Sequence, residues 1–497
     1  MTEWWRDAVL YEIYVRSFAD SDGDGLGDLA GIRSHLPYVR DLGVDGIWLT
    51  PFYPTADADH GYDVADYVDV DPRFGSLAEL DALVADAHGL GLRVLIDLVP
   101  NHTSIEHPWF RERPDWYVWT DEPNNWLSVF GGPAWQWDAR RRRYYLHLFA
   151  PEQPDLDWHN PAVQAEFERI VRFWLDRRVD GMRIDVAHGL FKDETLADEA
   201  EPVPGAEAHS FDRRTAIDRP EIHPLYRRWR QLVDGYPGER LLVGEVFFRD
   251  AARVAAYVRP DELHLAFNFT LMFRDWDAAA IRDAIDATLD SLAPVGATAT
   301  WVLESHDVPR LPSRYGGGEQ GLRRARAALL LLLALPGSAF LYAGQELGLE
   351  EVDLPNELRQ DPVFRRSGGE RLGRDGCRVP LPWTAEAPAF GFTTGTPWLP
   401  MPAGWGERSA AAQAGDPAST LELVRAALRL RPAGPFAWCD APAGVLAFRR
   451  GDVLCTVNVE AAPQPLPGDL VLATEPLDGA LPAGAAAWSR LRAGRSG

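Results

Sequence analysis

The sequence predicts an α/β protein built on a (β/α)8 TIM barrel, with an inserted subdomain after strand 3 and a small C-terminal antiparallel β domain. Three observations carry this. Short apolar runs recur along the chain, amphipathic helical stretches separate them, and their count reaches eight, the number that closes a barrel. The strands read as residues 9–15, 46–50, 92–97, 181–184, 241–246, 265–269, 298–303 and 339–342. Helical periodicity falls at 36–42, 76–88, 162–176 and 225–233, and the apolar run 327–336 reads as a buried helix too short to span a bilayer. The rhythm breaks from residue 101 to 160, where Trp, Pro and Gly dominate and 144–148 is the only clear strand. That is too long for a loop and reads as an inserted subdomain. A second irregular stretch, 346–410, follows strand eight, and alternating apolar residues after 435 suggest the β domain. The expected boundaries are 1–100 with 161–430 for the barrel, 101–160 for the insert and 431–497 for the tail.

Composition narrows the function. The 497 residues carry a net charge of −24, which argues against nucleic acid, anionic membrane and phosphorylated substrates as partners. Nineteen tryptophans stand out, since flat apolar rings complement the faces of sugars as well as filling cores. Cys377, Cys439 and Cys455 have neither metal-ligand spacing nor a paired framework. With no signal peptide at the given N-terminus, a cytoplasmic, reduced enzyme is expected, as a monomer or homodimer.

Charged residues end several of the strands. Strand three leads to Asp97 and then Asn101 and His102; strand four carries Arg183 and Asp185. Strand five ends at Glu245, and strand seven runs into His306 and Asp307. In a barrel these positions converge on one pocket mouth. Arg183 and Asp185 are two apart, so on a strand they share a face, and the cation favours the ionised carboxylate. Carboxylates gathered this way serve either as metal ligands or as the acid/base and nucleophile of glycoside hydrolysis. Separately, Asp20-Ser-Asp22-Gly-Asp24-Gly-Leu26-Gly-Asp28 alternates carboxylates with glycines, the pattern of a loop wrapped around a hard cation. Calcium or magnesium there would be held by Asp20, Asp22, Asp24, Asp28 and the Leu26 carbonyl. No organic cofactor is expected.

These residues resemble glycoside hydrolase family 13, the α-amylase superfamily, and within it the oligosaccharide α-glucosidase and oligo-1,6-glucosidase branch. The motifs stand here as Asp97-Leu-Val-Pro-Asn101-His102, Gly181-Met-Arg183-Ile-Asp185, Gly244-Glu245-Val246 and Glu304-Ser-His306-Asp307. Asp59-His-Gly-Tyr62-Asp63, Gln153-Pro-Asp-Leu-Asp-Trp158, Tyr342-Ala-Gly-Gln-Glu346 and Arg374-Asp-Gly-Cys-Arg378 extend them. The resemblance implies Asp185 as nucleophile, Glu245 as general acid/base and Asp307 as stabiliser of the oxocarbenium-like transition state. It implies His102 and His306 as sugar ligands, Arg183 as the partner that keeps Asp185 charged, and Tyr62 as an aromatic platform. Asp59 and Arg378 match a pair that closes the pocket, which implies exo action. Val186 faces the aglycone. Valine there is associated with α-1,6 linkages, whereas Ala187-His188-Gly189 resembles enzymes of α-1,4 or mixed linkages.

The expected activity is therefore a retaining α-glucosidase acting on short α-gluco-oligosaccharides, α-1,4 favoured, with transglucosylation possible. A sucrose hydrolase, glucosyltransferase or sugar isomerase would use the same site, and residues 200–222 and 346–378 would decide between them. A metal-dependent barrel hydrolase ligated by His60, His102 and His306 is the reading from a different class. A catalytically inactive relative is disfavoured by the joint presence of Asp185, Glu245 and Asp307.

Overall fold

The computed structural model describes residues 3–199, 215–248 and 250–490. Residues 200–214, which include most of one segment expected to choose the acceptor, lie outside the described residues, as do the last seven of the tail.

One parallel sheet organises the chain. Its strands are β1 (Val9–Ile13), β2 (Gly46–Leu49), β3 (Arg93–Leu98), β4 (Gly181–Ile184), β5 (Leu241–Gly244), β6 (Leu265–Ala266), β7 (Thr300–Val302) and β8 (Ser338–Tyr342). Neighbours in sequence pair from β1 through β6, while β8 pairs with both β7 and β1. Between β6 and β7 the circle is joined by a single bridge, Asn268 to Trp301. The Asn268 N–H donates to the Thr300 carbonyl at 3.1 Å. β6 is shorter than the predicted 265–269 because Asn268 turns the chain into a helix: its side chain caps Phe269–Met272 by accepting from the Thr270 N–H.

Strand periodicity then sorts the barrel interior. Leu10, Leu95, Leu241, Val243, Leu265, Val302 and Phe340 pack in one buried cluster with Trp5, Trp48 and Phe267. Two residues further along β1 and β3 the inward positions become Glu12 and Asp97, both fully buried. The barrel is thus apolar at the amino ends of its strands and charged at their carboxyl ends.

The flanking helices start where local chemistry dictates. Ser76 caps Leu77–Gly89 by accepting from the Glu79 N–H, and its hydroxyl donates back to the Glu79 carboxylate at 2.8 Å. Asn160 caps Pro161–Asp176, with Pro161 at the first position. The insert contributes a three-stranded antiparallel sheet, Trp119–Thr120, Arg143–Leu146 and Trp135–Asp138. A bridge from His102 to Asp155 ties that region to the end of β3.

Beyond the barrel, Phe436–Trp438, Val445–Arg450, Val453–Asn458, Ala485–Arg490 and Asp469–Ala473 form an antiparallel sheet in that order. Its Trp488 is fully buried, and the indole N–H donates to the Leu330 carbonyl of helix Gly318–Ala334 at 3.2 Å. Among the described residues, no helix is long and apolar enough to cross a membrane. Trp488→Ala should cost about 3–5 kcal/mol, read as a lower urea midpoint with unchanged slope.

Candidate active site

Arg183 sits at the centre of the charged end of the barrel, opposite Asp97 in the β3–β4 register. Its Nη1 donates to Asp97 Oδ1 at 2.9 Å and to Asp185 Oδ1 at 2.5 Å, while Nη2 lies 2.9 Å from Glu245 Oε2. One guanidinium therefore touches three carboxylates on three strands, with Trp48 and Tyr62 rings at 5.1 and 5.8 Å from its carbon. Burial pushes Asp97 up to about 7 against the pull of Arg183. Burial likewise raises Asp185, with Glu245, Asp97 and Asp307 adding to it and Arg183 opposing. Both carboxyls are thus set by burial acting against one shared cation.

Val186, next to Asp185, has φ of 45°, a left-handed conformation that is strained for a β-branched residue. That turn aims its N–H at Glu245 Oε2, 3.0 Å away, so Glu245 is fixed by a backbone donor as well as by Arg183.

Asp307 lies where β7 ends. Its Oδ1 accepts from Arg374 Nη1 and Arg378 Nη2, each at 3.0 Å. Burial works against its charge, but His306, Arg374, Arg378 and Arg183 outweigh it and hold the carboxyl well below the usual range. Asp59, expected to pair with Arg378, pairs instead with Arg374, whose Nη2 donates to Asp59 Oδ1 at 2.6 Å. Arg378 is turned inward: Nε donates to the His306 carbonyl at 2.8 Å, and the group serves Asp307. The two arginines flank a short 3-10 turn, Asp375–Cys377, which sends them to different targets. Arg374 is itself gripped by Asp361, which accepts from its Nε at 2.7 Å and is fully buried.

His102 approaches from the end of β3. Burial drops its imidazole to about 4, so the ring is neutral. Gln153 Nε2 lies 3.0 Å from His102 Nε2 and 3.2 Å from Asp59 Oδ2, linking the two. Tyr62 is buried, donates its hydroxyl to Asp97 Oδ2 at 3.0 Å, and stacks on the His306 ring at 5.3 Å.

Around these groups lies a cavity of about 400 Å³ bordered by Asp59, Tyr62, His102, Asp185, Val186, Glu245, His306, Asp307 and Arg374. The flank beside Glu245 is aromatic: Phe247, Phe267, Phe269 and Phe273, with Val308 and Pro309. Sequence reasoning brought most of the polar side to one place but missed Arg374, Asp361, Gln153 and Glu12. For Glu12 a signal existed, a lone carboxylate in the apolar run Val9-Leu-Tyr-Glu-Ile13. For Asp361, in a long irregular segment, there was none.

In the acidic loop, ligand oxygens of Asp20, Asp22 and Asp28 come within 4.8 Å of one another. Asp24 stands outside that trio and accepts the Leu26 N–H at 2.8 Å.

A parallel barrel with acidic residues at its carboxyl ends around a ring-lined pocket suits a carbohydrate-cleaving enzyme, and comparison with known proteins shows that class. The model of the alpha-amylase catalytic domain matches residues 12–437. The chain belongs to that family, glycoside hydrolase family 13, and is a glycoside hydrolase. It is 41% identical to a probable alpha-glucosidase of Rhizobium meliloti (strain 1021), covering 96% of this chain and 93% of that protein. It is 34% identical to the oligo-1,6-glucosidase of Parageobacillus thermoglucosidasius, over 86% of this chain and 83% of that one. Among solved structures, an alpha-glucosyl transfer enzyme superposes with a TM-score of 0.91 at 42% identity, covering 99% of this chain and 100% of that chain. The trehalulose synthase of Pseudomonas mesoacidophila superposes at 0.90 with 30% identity, again over 99% and 100%.

Asp361→Asn should lower stability near pH 7 by on the order of 3 kcal/mol, because it takes the charge of a fully buried carboxylate out of its ion pair with the largely buried Arg374. Burial opposes the Asp361 charge, yet Arg374 and Arg378 hold its carboxyl far below the usual value. A depressed carboxylate contributes stability above its unfolded pKa and loses it as pH falls. Melting curves of wild type and variant should therefore converge below about pH 4.

Proposed function

We propose that the chain is a retaining, exo-acting α-glucosidase that releases glucose from the non-reducing end of short α-gluco-oligosaccharides. The observation that carries this reading is the shared contact of Arg183 with Asp185 and Glu245 beneath a pocket bounded by Asp59 and Arg374. In the first step Asp185 attacks the anomeric carbon as the glycosidic bond breaks, and Glu245, acting as general acid, delivers a proton to the leaving oxygen. Glu245 Oε2 is occupied by two donors, Val186 N–H and Arg183, so that proton leaves from Oε1. Water, deprotonated by Glu245, then attacks the glucosyl–Asp185 ester and returns the carboxylate, with net retention. Asp307, held ionised, binds sugar hydroxyls and opposes the positive charge that grows on the ring. The Arg374–Asp59 pair ends the pocket after one sugar unit, and the exo character follows from that.

The α-1,4 preference over α-1,6 rests on Ala187-His188-Gly189 beyond Val186. Transglucosylation is the second reading, and the wall formed by Phe247, Phe269, Phe273, Val308 and Pro309 favours it. Such a wall holds the apolar face of an organic acceptor better than it orders water. The enzyme works on small oligosaccharides in a reducing cytoplasm, as monomer or homodimer, in keeping with its three unpaired cysteines. A calcium or magnesium ion on Asp20, Asp22 and Asp28 braces the loop from outside the pocket; the all-oxygen donor set suits either ion.

Asp185→Asn and Glu245→Gln should each lower kcat by about 10³-fold or more while circular dichroism stays unchanged. Ordinary turnover in either variant would overturn the role assignment. Maltose, isomaltose, sucrose and trehalose assayed in parallel should yield glucose fastest from maltose; a sucrose-only or isomer-only pattern would sink the α-glucosidase reading. A chelator should lower the melting temperature yet leave the initial rate at 25 °C intact, which separates a bracing ion from a metal-dependent hydrolase.

A further inference from the structure

The ring of His306 is fixed on every side. It lies between Tyr14 and Tyr62, stacked at centroid distances of 5.5 and 5.3 Å with interplanar angles of 16° and 12°. Its Nδ1 is 2.5 Å from Glu12 Oε1, and that same oxygen accepts the His306 backbone N–H at 3.3 Å. Its Nε2 is 3.2 Å from Asp307 Oδ2, has no well-formed hydrogen bond within the protein, and borders the cavity.

Both ring nitrogens therefore face a carboxylate oxygen. A nitrogen lone pair aimed at a carboxylate is repelled, so each contact calls for a proton, and a neutral imidazole has only one. Glu12 is fully buried on β1, and among the described residues His306 is its only ion-pair partner.

We propose that Glu12 is a positioning residue for the reaction: with His306 it holds one proton beyond that of a neutral imidazole, shared across the Oε1–Nδ1 contact, so that Nε2 stands as a donor. That donor lies 3.2 Å from Asp307 Oδ2 and borders the cavity where a sugar hydroxyl docks, so the inference rests on the reading of the pocket given above. The pair is neutral whether the shared proton sits on Oε1 or on Nδ1, and Nε2–H is kept in both forms. Burial, with Asp307 adding, pushes the Glu12 carboxyl well above its usual range. Burial also pushes the His306 imidazole well below its own, despite Asp307. Both directions place the shared proton on Oε1. Arg183 and Asp97 face the pair from β4 and β3, Tyr342 from β8, and Arg374 and Arg378 from the Asp307 side.

A purely structural Glu12 would be an ordinary acceptor for Nδ1–H, and a glutamine oxygen would do as well. Glu12→Gln separates the two. Its amide oxygen takes both the backbone N–H and Nδ1–H, leaving Nε2 bare against Asp307. The expected result is a kcat lower by about tenfold or more, with KM within about threefold, and a melting curve close to wild type. In ¹⁵N-histidine spectra of the resting enzyme, the signal assigned to His306 by its loss in His306→Asn should show a protonated Nε2 in wild type and a bare one in Glu12→Gln. A kcat within twofold of wild type for Glu12→Gln, or a bare Nε2 in the wild-type spectrum, would overturn the proposal. The wild-type spectrum needs no substrate and no variant of Glu12. An enzyme inert on maltose would count against the α-glucosidase reading and leave the proton count on His306 standing.

Discussion

The structure depends on how one guanidinium, Arg183, is placed among carboxylates. Asp97, Asp185 and Glu245 end three adjacent strands and converge on it within 2.9 Å. Only a planar fork with several donors can serve three acceptors in different directions; a lysine ammonium at the same position would be a point charge without that geometry. The apolar lower half of the barrel makes the arrangement consequential. Leu95 and Val243 sit one inward position below Asp97 and Glu245 on their strands, so the charges rest on a low-dielectric floor. There burial raises the carboxyls of Asp97 and Asp185, with Arg183 pulling the other way.

A second constraint joins Asp185 to Glu245 through the backbone. Val186 adopts a conformation that its branched side chain disfavours, and the benefit is an N–H placed on Glu245 Oε2. A Cβ on Gly189 would come within 2.6 Å of Val186 Cγ1, so the following turn can close over Val186 only as glycine. The same valine borders the cavity. The residue that links the two carboxylates thus also lines the cavity, and a change made there would disturb both.

Much of this was legible in the sequence, for a physical reason. Apolar runs and helical periodicity are local, so strands such as 46–49 and helices such as 77–89 announce themselves. Strand-end residues such as Asp185 and Glu245 inherit their convergence from the fold class alone. Legibility failed where tertiary geometry chose between equivalent candidates. Arg374 and Arg378 belong to one motif, and nothing local distinguishes the one that reaches Asp59; the turn between them decides. Asp361 is invisible because its importance comes wholly from Arg374, thirteen residues later in an irregular segment. Asn268 was read as strand when its side chain makes it a helix cap. Glu12 was in plain view, a charge within an apolar strand, but its partner lies 294 residues away.

The pocket's far end shows where specificity resides. Asp59 follows β2, Asp307 follows β7, and Asp361 and Arg374 follow β8, yet a single side chain holds all three carboxylates. The barrel strands bring none of these loops together by their own pairing; Arg374 does. By contrast the Arg183 cluster belongs to adjacent strands β3, β4 and β5 and is set by sheet register. Solved neighbours described as a glucosyl transfer enzyme and a trehalulose synthase match this chain with TM-scores of 0.91 and 0.90. A shared barrel is thus compatible with differently described activities, which leaves the loop-borne walls of the pocket to set such proteins apart. In this chain those walls are the Phe247, Phe269 and Phe273 cluster on one side and the Arg374 ion-pair web on the other. They are held by different forces, ring packing and charge. Salt should then loosen the Arg374 side of the pocket without touching the ring-lined side, because screening acts on the partly exposed ion pairs and not on stacked rings.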